Sequence, residues 1–208
     1  CDVPEKVFVI PSGVDTDFFA PPKGVRRSSS FLFVGRFVDK KAPHLAILSF
    51  KKALAMLPCA EMVMVGEGPL LAPCQQIVRA VGMDDQVVFK GVAASGQVRD
   101  MMQSATCLVH HAIVASDGNR EGTPNSVVEA GACGLPVVAT RHGGIPEIVV
   151  QGQSGFLVEE YDVFGMADCM IRIAKDTALA QRLGCAARER IESRYSLDES
   201  VQKLIRIA

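Results

Sequence analysis

Short apolar runs rich in β-branched residues recur along this chain, each followed by a stretch of helical spacing, and that alternation narrows the folds open to it. The runs are VFVI (7–10), FLFVG (31–35), MVMVG (62–66), VVF (87–89), CLVHH (107–111), PVVA (136–139) and GFLV (155–158). Their nearly unbroken apolar character suits strands covered on both faces, as in a parallel sheet, and not the in–out alternation of a sheet with one wet side. Between them, Ile47, Phe50, Leu54 and Leu57 repeat at helical spacing and leave Lys51 and Lys52 to solvent. SGQVRDMMQSA (95–105) opens on Ser95, a good helix cap, and sets Val98, Met101 and Met102 on one side. From Asp162 onward strand patterns cease, and Ala167, Met170, Ile171 and Ala174 mark the buried face of a helical tail. Strand and helix in repeated alternation predict an α/β fold with a doubly wound parallel sheet and C-terminal helices.

The bulk properties exclude several classes of function. A chain of 208 residues fits one domain and can bury a sizeable core. A formal net charge of −1 gives no electrostatic case for nucleic acid or for an anionic membrane. No apolar run reaches the roughly 18 residues that a spanning helix needs. The cysteines, at positions 1, 59, 74, 107, 133, 169 and 185, form no C-x-x-C pair, and their odd number argues against a disulfide framework. They read as reduced, buried thiols, with Cys107 and Cys133 in apolar surroundings, which points to the cytoplasm. PPKGVRRSSS (21–30) is a polar, turn-rich segment. The chain starts on Cys1 and runs directly into a strand pattern, so it is expected to be part of a longer protein.

In doubly wound sheets ligands bind beyond the carboxyl ends of the strands, and here those positions carry unusual residues. After FLFVG come Gly35, which permits a sharp turn and a close approach, and then Arg36 and Lys41. Two cations at the lip of a sheet are either a solvated pair or a grip for phosphate. Gly66 and Gly68 follow MVMVG, and HGGIPE (142–147) follows PVVAT. EGTPNSVVEAGACGLPVVA (121–139) is more specific. Thr123 before Pro124 reads as a capped helix start, with Pro124 at the first helical position. The amides of Asn125 and Ser126 would then point out of a helix N-terminus, a natural anion site. Glu121 and Glu129 flank that start at a spacing of eight. They are either ordinary dipole partners or acceptors for vicinal sugar hydroxyls. A diphosphate carrying a sugar at each end would satisfy all of these groups together. The small residues Ala130, Gly131, Ala132 and Gly134 are expected to let this helix sit close to the sheet. DTD (15–17) resembles a metal-binding D-x-D but has no strand end to aim it, so it reads as a turn. His110 and His111 are adjacent on a strand and point to opposite faces, which disfavours a joint metal site.

Taken in order, VIPSGVDTDFF, FVGRFVDKKAP, VGEGP, VVFKG, EGTPNSVVEAGACGLPVVAT, GGIPEIV and GQSGFLV resemble the C-terminal, donor-binding half of glycosyltransferase family 4, retaining enzymes of GT-B architecture. The resemblance implies one Rossmann-like domain over residues 1–208, with the acceptor-binding N-terminal domain absent. It implies that Arg36 and Lys41 hold a donor diphosphate, that Glu129 binds the ribose, and that Glu121 contacts the transferred sugar. The Asn125 and Ser126 amides would flank phosphate and sugar, and the backbone at Lys90 would lie against the base. Many members of that family carry Phe-Gly where this chain has Thr123 and Pro124; Pro124 lacks a backbone donor, so the contacts to that sugar are expected to differ from the family's usual pattern. The expected reaction is metal-independent, retaining transfer from a UDP- or GDP-sugar to a glycan or lipid-linked glycan, with no further cofactor. A nucleotide-sugar epimerase or a non-catalytic nucleotide-binding module would use the same scaffold.

Overall fold

The computed structural model describes residues 12–24 and 29–207; the expected strand at 7–10 and residues 25–28 lie outside them. The strands are β1 (Ser30–Val34), β2 (Glu61–Val65), β3 (Val87–Gly91), β4 (Cys107–His110), β5 (Val137–Thr140) and β6 (Gly155–Val158). They form one sheet in the order β3-β2-β1-β4-β5-β6, and every neighbouring pair is parallel. The chain therefore begins in the middle of the sheet, runs outward to β3, and returns to lay β4 on the other side of β1. The crevice between β1 and β4 is the point where the winding reverses.

The helices are α1 (Pro43–Leu54), α2 (Leu71–Ala80), α3 (Ser95–Ser104), α4 (Asn125–Ala132), α5 (Ile145–Ile148), α6 (Val163–Lys175), α7 (Thr177–Arg194) and α8 (Leu197–Ile207), with a 3-10 turn at Asp39–Lys41. They cover both faces of the sheet, which is why the strands lack polar alternation. In β1 the side chains divide by the pleat: Phe31 and Phe33 enter one core with Phe50, Met62 and Met64, and Leu32 enters the other with Met102, Leu108 and Val127. Each of these large apolar side chains, fully withdrawn from water, contributes about 1.5–3 kcal/mol before the ordering cost.

Several local expectations need correction. Leu57 is buried but lies past the end of α1. Ser95 is the first helical residue of α3 and not its cap; Ala94 takes that place, and its N–H donates to Gln97 Oε1 at 2.9 Å. The buried face of α6 is Met166, Ala167, Met170 and Ile173, while Ile171 and Ala174 are only half-buried. Gly131 faces α7: a Cβ there would stand 2.7 Å from Ile191 Cγ1, so it serves helix-on-helix packing and not approach to the sheet. Cys74, Cys107 and Cys133 are buried, but Cys59 and Cys185 are exposed. DTD is a turn, in which Asp15 Oδ1 accepts the Asp17 and Phe18 N–H groups at 3.0 and 2.9 Å.

Candidate functional site

On one side of the switch point the chain leaves β1 through Gly35, Arg36 and Phe37. Gly35 N–H donates to Val65 O at 3.0 Å and Phe37 N–H to Glu67 O at 2.8 Å, so this loop lies directly on the turn that follows β2. The turn is glycine for a steric reason. Gly66 has φ +129° and a Cβ on it would overlap the Gly35 carbonyl; Gly68 has φ +147° and a Cβ there would meet Phe37 O at 2.6 Å. A cleft of about 720 Å³ opens here, lined by Val34, Gly35, Arg36, Gly66, Gly68 and Val92 among others. Arg36 is exposed at its rim.

The other side repeats the design. Glu121 and Gly122 lie on the turn after β5, where Gly144 N–H donates to Gly122 O at 3.1 Å. A Cβ on Gly143, which has φ +51°, would overlap the Glu121 carbonyl, and one on Gly144 would reach Gly122 O at 2.7 Å. The two glycine-rich turns are thus beds for the loops that carry Arg36 and Glu121. A side chain ties the halves together: Lys41 Nζ forms an ion pair with Glu121 Oε2, and Lys40 Nζ stands 3.8 Å from Glu121 Oε1. The side chains of Lys41 and Glu121 are only 13% and 10% exposed. Lys41 extends over Gly35, where a Cβ would stand 3.7 Å from Lys41 Cδ, so its side chain lies against the loop that lines the cleft. Burial holds its pKa below the ordinary lysine range, and the hydrogen bond and charge of Glu121 act the other way.

Thr123 does not cap α4. Pro124 is the N-cap residue (φ −74°, ψ 115°), so the helix starts one residue later than expected, and no side chain closes its end. Val127 and Val128 N–H groups both donate to Pro124 O, at 3.0 and 3.3 Å, so helix geometry leaves the Asn125 and Ser126 amides with no intrahelical acceptor. Asn125 is exposed and Ser126 is buried. Glu129 is half-buried on α4, and burial raises its pKa. Lys90 stands apart: it is exposed on β3 and lines a separate hollow with Glu61, Val63 and Met101, while Val92 and Ala93 reach the cleft.

Three residues escape the sequence reading. Lys40 joins Lys41 at Glu121. His142, buried, accepts the Glu121 N–H at Nε2 (3.0 Å) and donates from Nδ1 to Glu160 Oε1 (2.6 Å). Glu160 Oε2 accepts the Val114 N–H at 3.0 Å. Burial opposes ionisation of Glu160, but the bonds from His142 and Val114 outweigh it and its pKa is lowered. Their shared signal is position: each lies two to six residues past a strand's carboxyl end. His110 and His111 are both buried; burial lowers both pKa values, that of His111 to about 4. His111 Nε2 accepts the Tyr161 N–H at 3.1 Å, and neither ring nitrogen of His110 has a hydrogen-bond partner. Among the described residues no group of three His, Cys, Asp or Glu side chains is placed to hold a metal ion, and no helix is long and apolar enough to cross a membrane.

Six parallel strands in this order, with helices on both faces and the winding reversed between β1 and β4, define a Rossmann-like α/β domain. The sequence profile described as Glycosyl transferases group 1 matches residues 17–190, and the chain belongs to that family. It is 30% identical over 196 residues to the putative colanic acid biosynthesis glycosyltransferase WcaL of Salmonella typhimurium, covering 93% of this chain and 48% of that protein. The chain spans about half the length of the curated relatives it matches. The crystal structure of the C-terminal domain of a group 1 glycosyl transferase, LpcC from Francisella tularensis, superposes with a TM-score of 0.78 at 24% identity, covering 89% of this chain and 100% of that one. Anabaena HepE, crystallised with UDP-glucose, superposes with a TM-score of 0.85 at 21% identity, covering 96% of this chain and 56% of that one.

Proposed function

We propose that this chain is the donor-binding domain of a retaining, metal-independent glycosyltransferase that moves a sugar from a UDP- or GDP-sugar to a hydroxyl of a glycan or lipid-linked glycan. The acceptor would be held by a separate N-terminal domain, and the chain alone would bind donor without transferring it. The observation that carries this reading is the Lys41–Glu121 pair, held beside Gly35 at the switch point. The diphosphate binds between Arg36, Lys41 and the Asn125 and Ser126 amides. It takes over the charge of Lys41, which frees the Glu121 carboxylate to accept hydrogen bonds from the sugar. Glu129 accepts from the ribose, and the strand end after Lys90, where Val92 lines the cleft, meets the base. As the glycosidic bond breaks, negative charge grows on the diphosphate. Two cations and a helix end aimed at that charge lower the barrier without the reorganisation that water would need. That supply of positive charge is the ground for proposing transfer without a metal; retention is what the family resemblance implies. The HepE structure with UDP-glucose and the likeness to WcaL, described as a putative colanic acid biosynthesis glycosyltransferase, support the donor class and a polysaccharide product.

The test is calorimetric titration of the chain with UDP and GDP, followed by Arg36→Ala and Lys41→Met. The parent chain binds at least one nucleotide, and each substitution weakens that binding tenfold or more. In the full-length enzyme each lowers turnover about 10²-fold, the scale of losing one oxyanion donor. Absence of binding at millimolar nucleotide in the parent chain overturns the proposal.

A further inference from the structure

The glycine bed beneath Glu121 explains where its carbonyl goes, but its N–H is held differently. A backbone donor that meets an imidazole needs an unprotonated ring nitrogen, and His142 Nε2 is that acceptor at 3.0 Å. The ring must then carry its proton on Nδ1, and Glu160, an acceptor only, stands 2.6 Å from Nδ1. The second oxygen of Glu160 is fixed by the Val114 N–H at 3.0 Å, so the carboxylate cannot turn away. The series Val114–Glu160–His142–Glu121 thus draws on the loop after β4, the segment after β6 and the turn after β5 to fix one peptide group. His142 is 3% exposed, too buried to meet a ligand itself. Ordinary loop packing does not require a buried imidazole with a defined tautomer, whereas a carboxylate that must point in one direction does.

We infer that His142, oriented by Glu160, is a positioning residue for Glu121: it aims the Glu121 carboxylate at the sugar of a bound nucleotide-sugar. This rests on the function proposed above. Because His142 acts through Glu121 and touches neither Arg36 nor the cleft that would take the base, its loss separates the two halves of the ligand. The sugar nucleotide weakens and the free nucleotide does not.

The experiment titrates UDP-glucose against UDP, and GDP-mannose against GDP, into the parent chain and into His142→Phe, His142→Gln and Glu160→Ala. For whichever pair binds, His142→Phe raises the dissociation constant of the sugar nucleotide at least tenfold and leaves that of the nucleotide within twofold. His142→Gln, which offers an oxygen near the Nε2 position, recovers most of the loss. Glu160→Ala, at a partly exposed site that does not threaten folding, weakens the sugar nucleotide about threefold. It also converts the ¹⁵N signature of His142 from a single Nδ1–H tautomer to a mixture. Equal weakening of both ligands, or no weakening of the sugar nucleotide by His142→Phe, overturns the inference while leaving nucleotide binding by the domain intact. If the parent chain binds none of the four ligands, the functional reading fails and the positioning role fails with it.

Discussion

Glu129 is held half-buried by α4, and a carboxylate there is more easily kept neutral than in water. Its folded pKa lies above 4.5, so the unfolded chain gives up the proton first as pH rises. Stability contributed by this group is therefore full below about pH 4.5 and is lost as pH climbs through the folded value. Glu129→Gln removes the ionisation. The variant should melt above the parent at pH 7–8, and the difference should shrink to nothing below about pH 4.5. Scanning calorimetry across that range checks it; a variant that melts lower at pH 7 shows that the carboxylate has a stabilising partner. If Glu129 holds a ribose, the same stabler variant binds nucleotide more weakly, as expected where a site is kept at a cost to the fold. Gly143 makes the opposite case. Alanine there meets both a positive φ and the Glu121 carbonyl, so Gly143→Ala should cost about 1–3 kcal/mol. It should also weaken sugar-nucleotide binding, because the Glu121 loop must lift. Urea unfolding and one titration decide both points.

Among the elements, α4 depends on α7 at its carboxyl end. Gly131 admits Ile191, and Arg188 of α7 donates from Nη1 to Ala132 O at 2.6 Å, near the carboxyl end of α4. The same nitrogen reaches Thr16 O at 2.9 Å and Phe19 O at 2.8 Å. One guanidinium therefore meets the negative end of a helix dipole and pins the segment that leads into the sheet. Hydrogen bonds to a charged group are worth about 1.5–3 kcal/mol, so Arg188→Met should lose at least about 2 kcal/mol. Arg188→Lys, whose single ammonium cannot hold these carbonyls and the Glu192 carboxylate that meets Arg188 Nε at 2.7 Å together, should recover less than half of that; denaturation midpoints measure both, and a Lys variant equal to the parent would refute the bridging role. These contacts mark the limit of what the sequence reveals. The strands are legible because continuous apolar runs have one physical meaning, and Phe31, Leu32 and Phe33 fall on alternate faces as the pleat demands. Arg36, Lys41 and Glu121 are legible as candidates because strand ends are where such sheets bind ligands. Gly131 misleads because smallness does not say which neighbour needs the room. Thr123 misleads because Pro124 stays extended and takes the cap position itself. His142 and Glu160 are eighteen positions apart, and no local period encodes a bond between two strand ends.

Seen whole, the molecule is two half-sheets wound in opposite directions, each presenting one loop on a glycine bed, with Lys41 and Glu121 meeting across the junction. Such a pair is weak as a stabiliser and costly to break on one side only, because the remaining charge is left in a poorly solvated place. Lys41→Met and Glu121→Gln should each cost about 3 kcal/mol. The double variant, which buries no unpaired charge at these two positions, should come back to within about 1 kcal/mol of the parent. Lys40, at 3.8 Å from Glu121, cushions Lys41→Met slightly and makes it the milder of the two. Ligand binding should not follow stability. The double variant, restored in melting, should remain at least tenfold weaker for nucleotide, because the charge that meets the diphosphate is gone. A denaturation cycle with parallel UDP and GDP titrations reads both quantities on the same four proteins. If the two single costs simply add in the double variant, the halves are not coupled through this pair. If binding returns together with stability, Lys41 holds the fold and not the diphosphate.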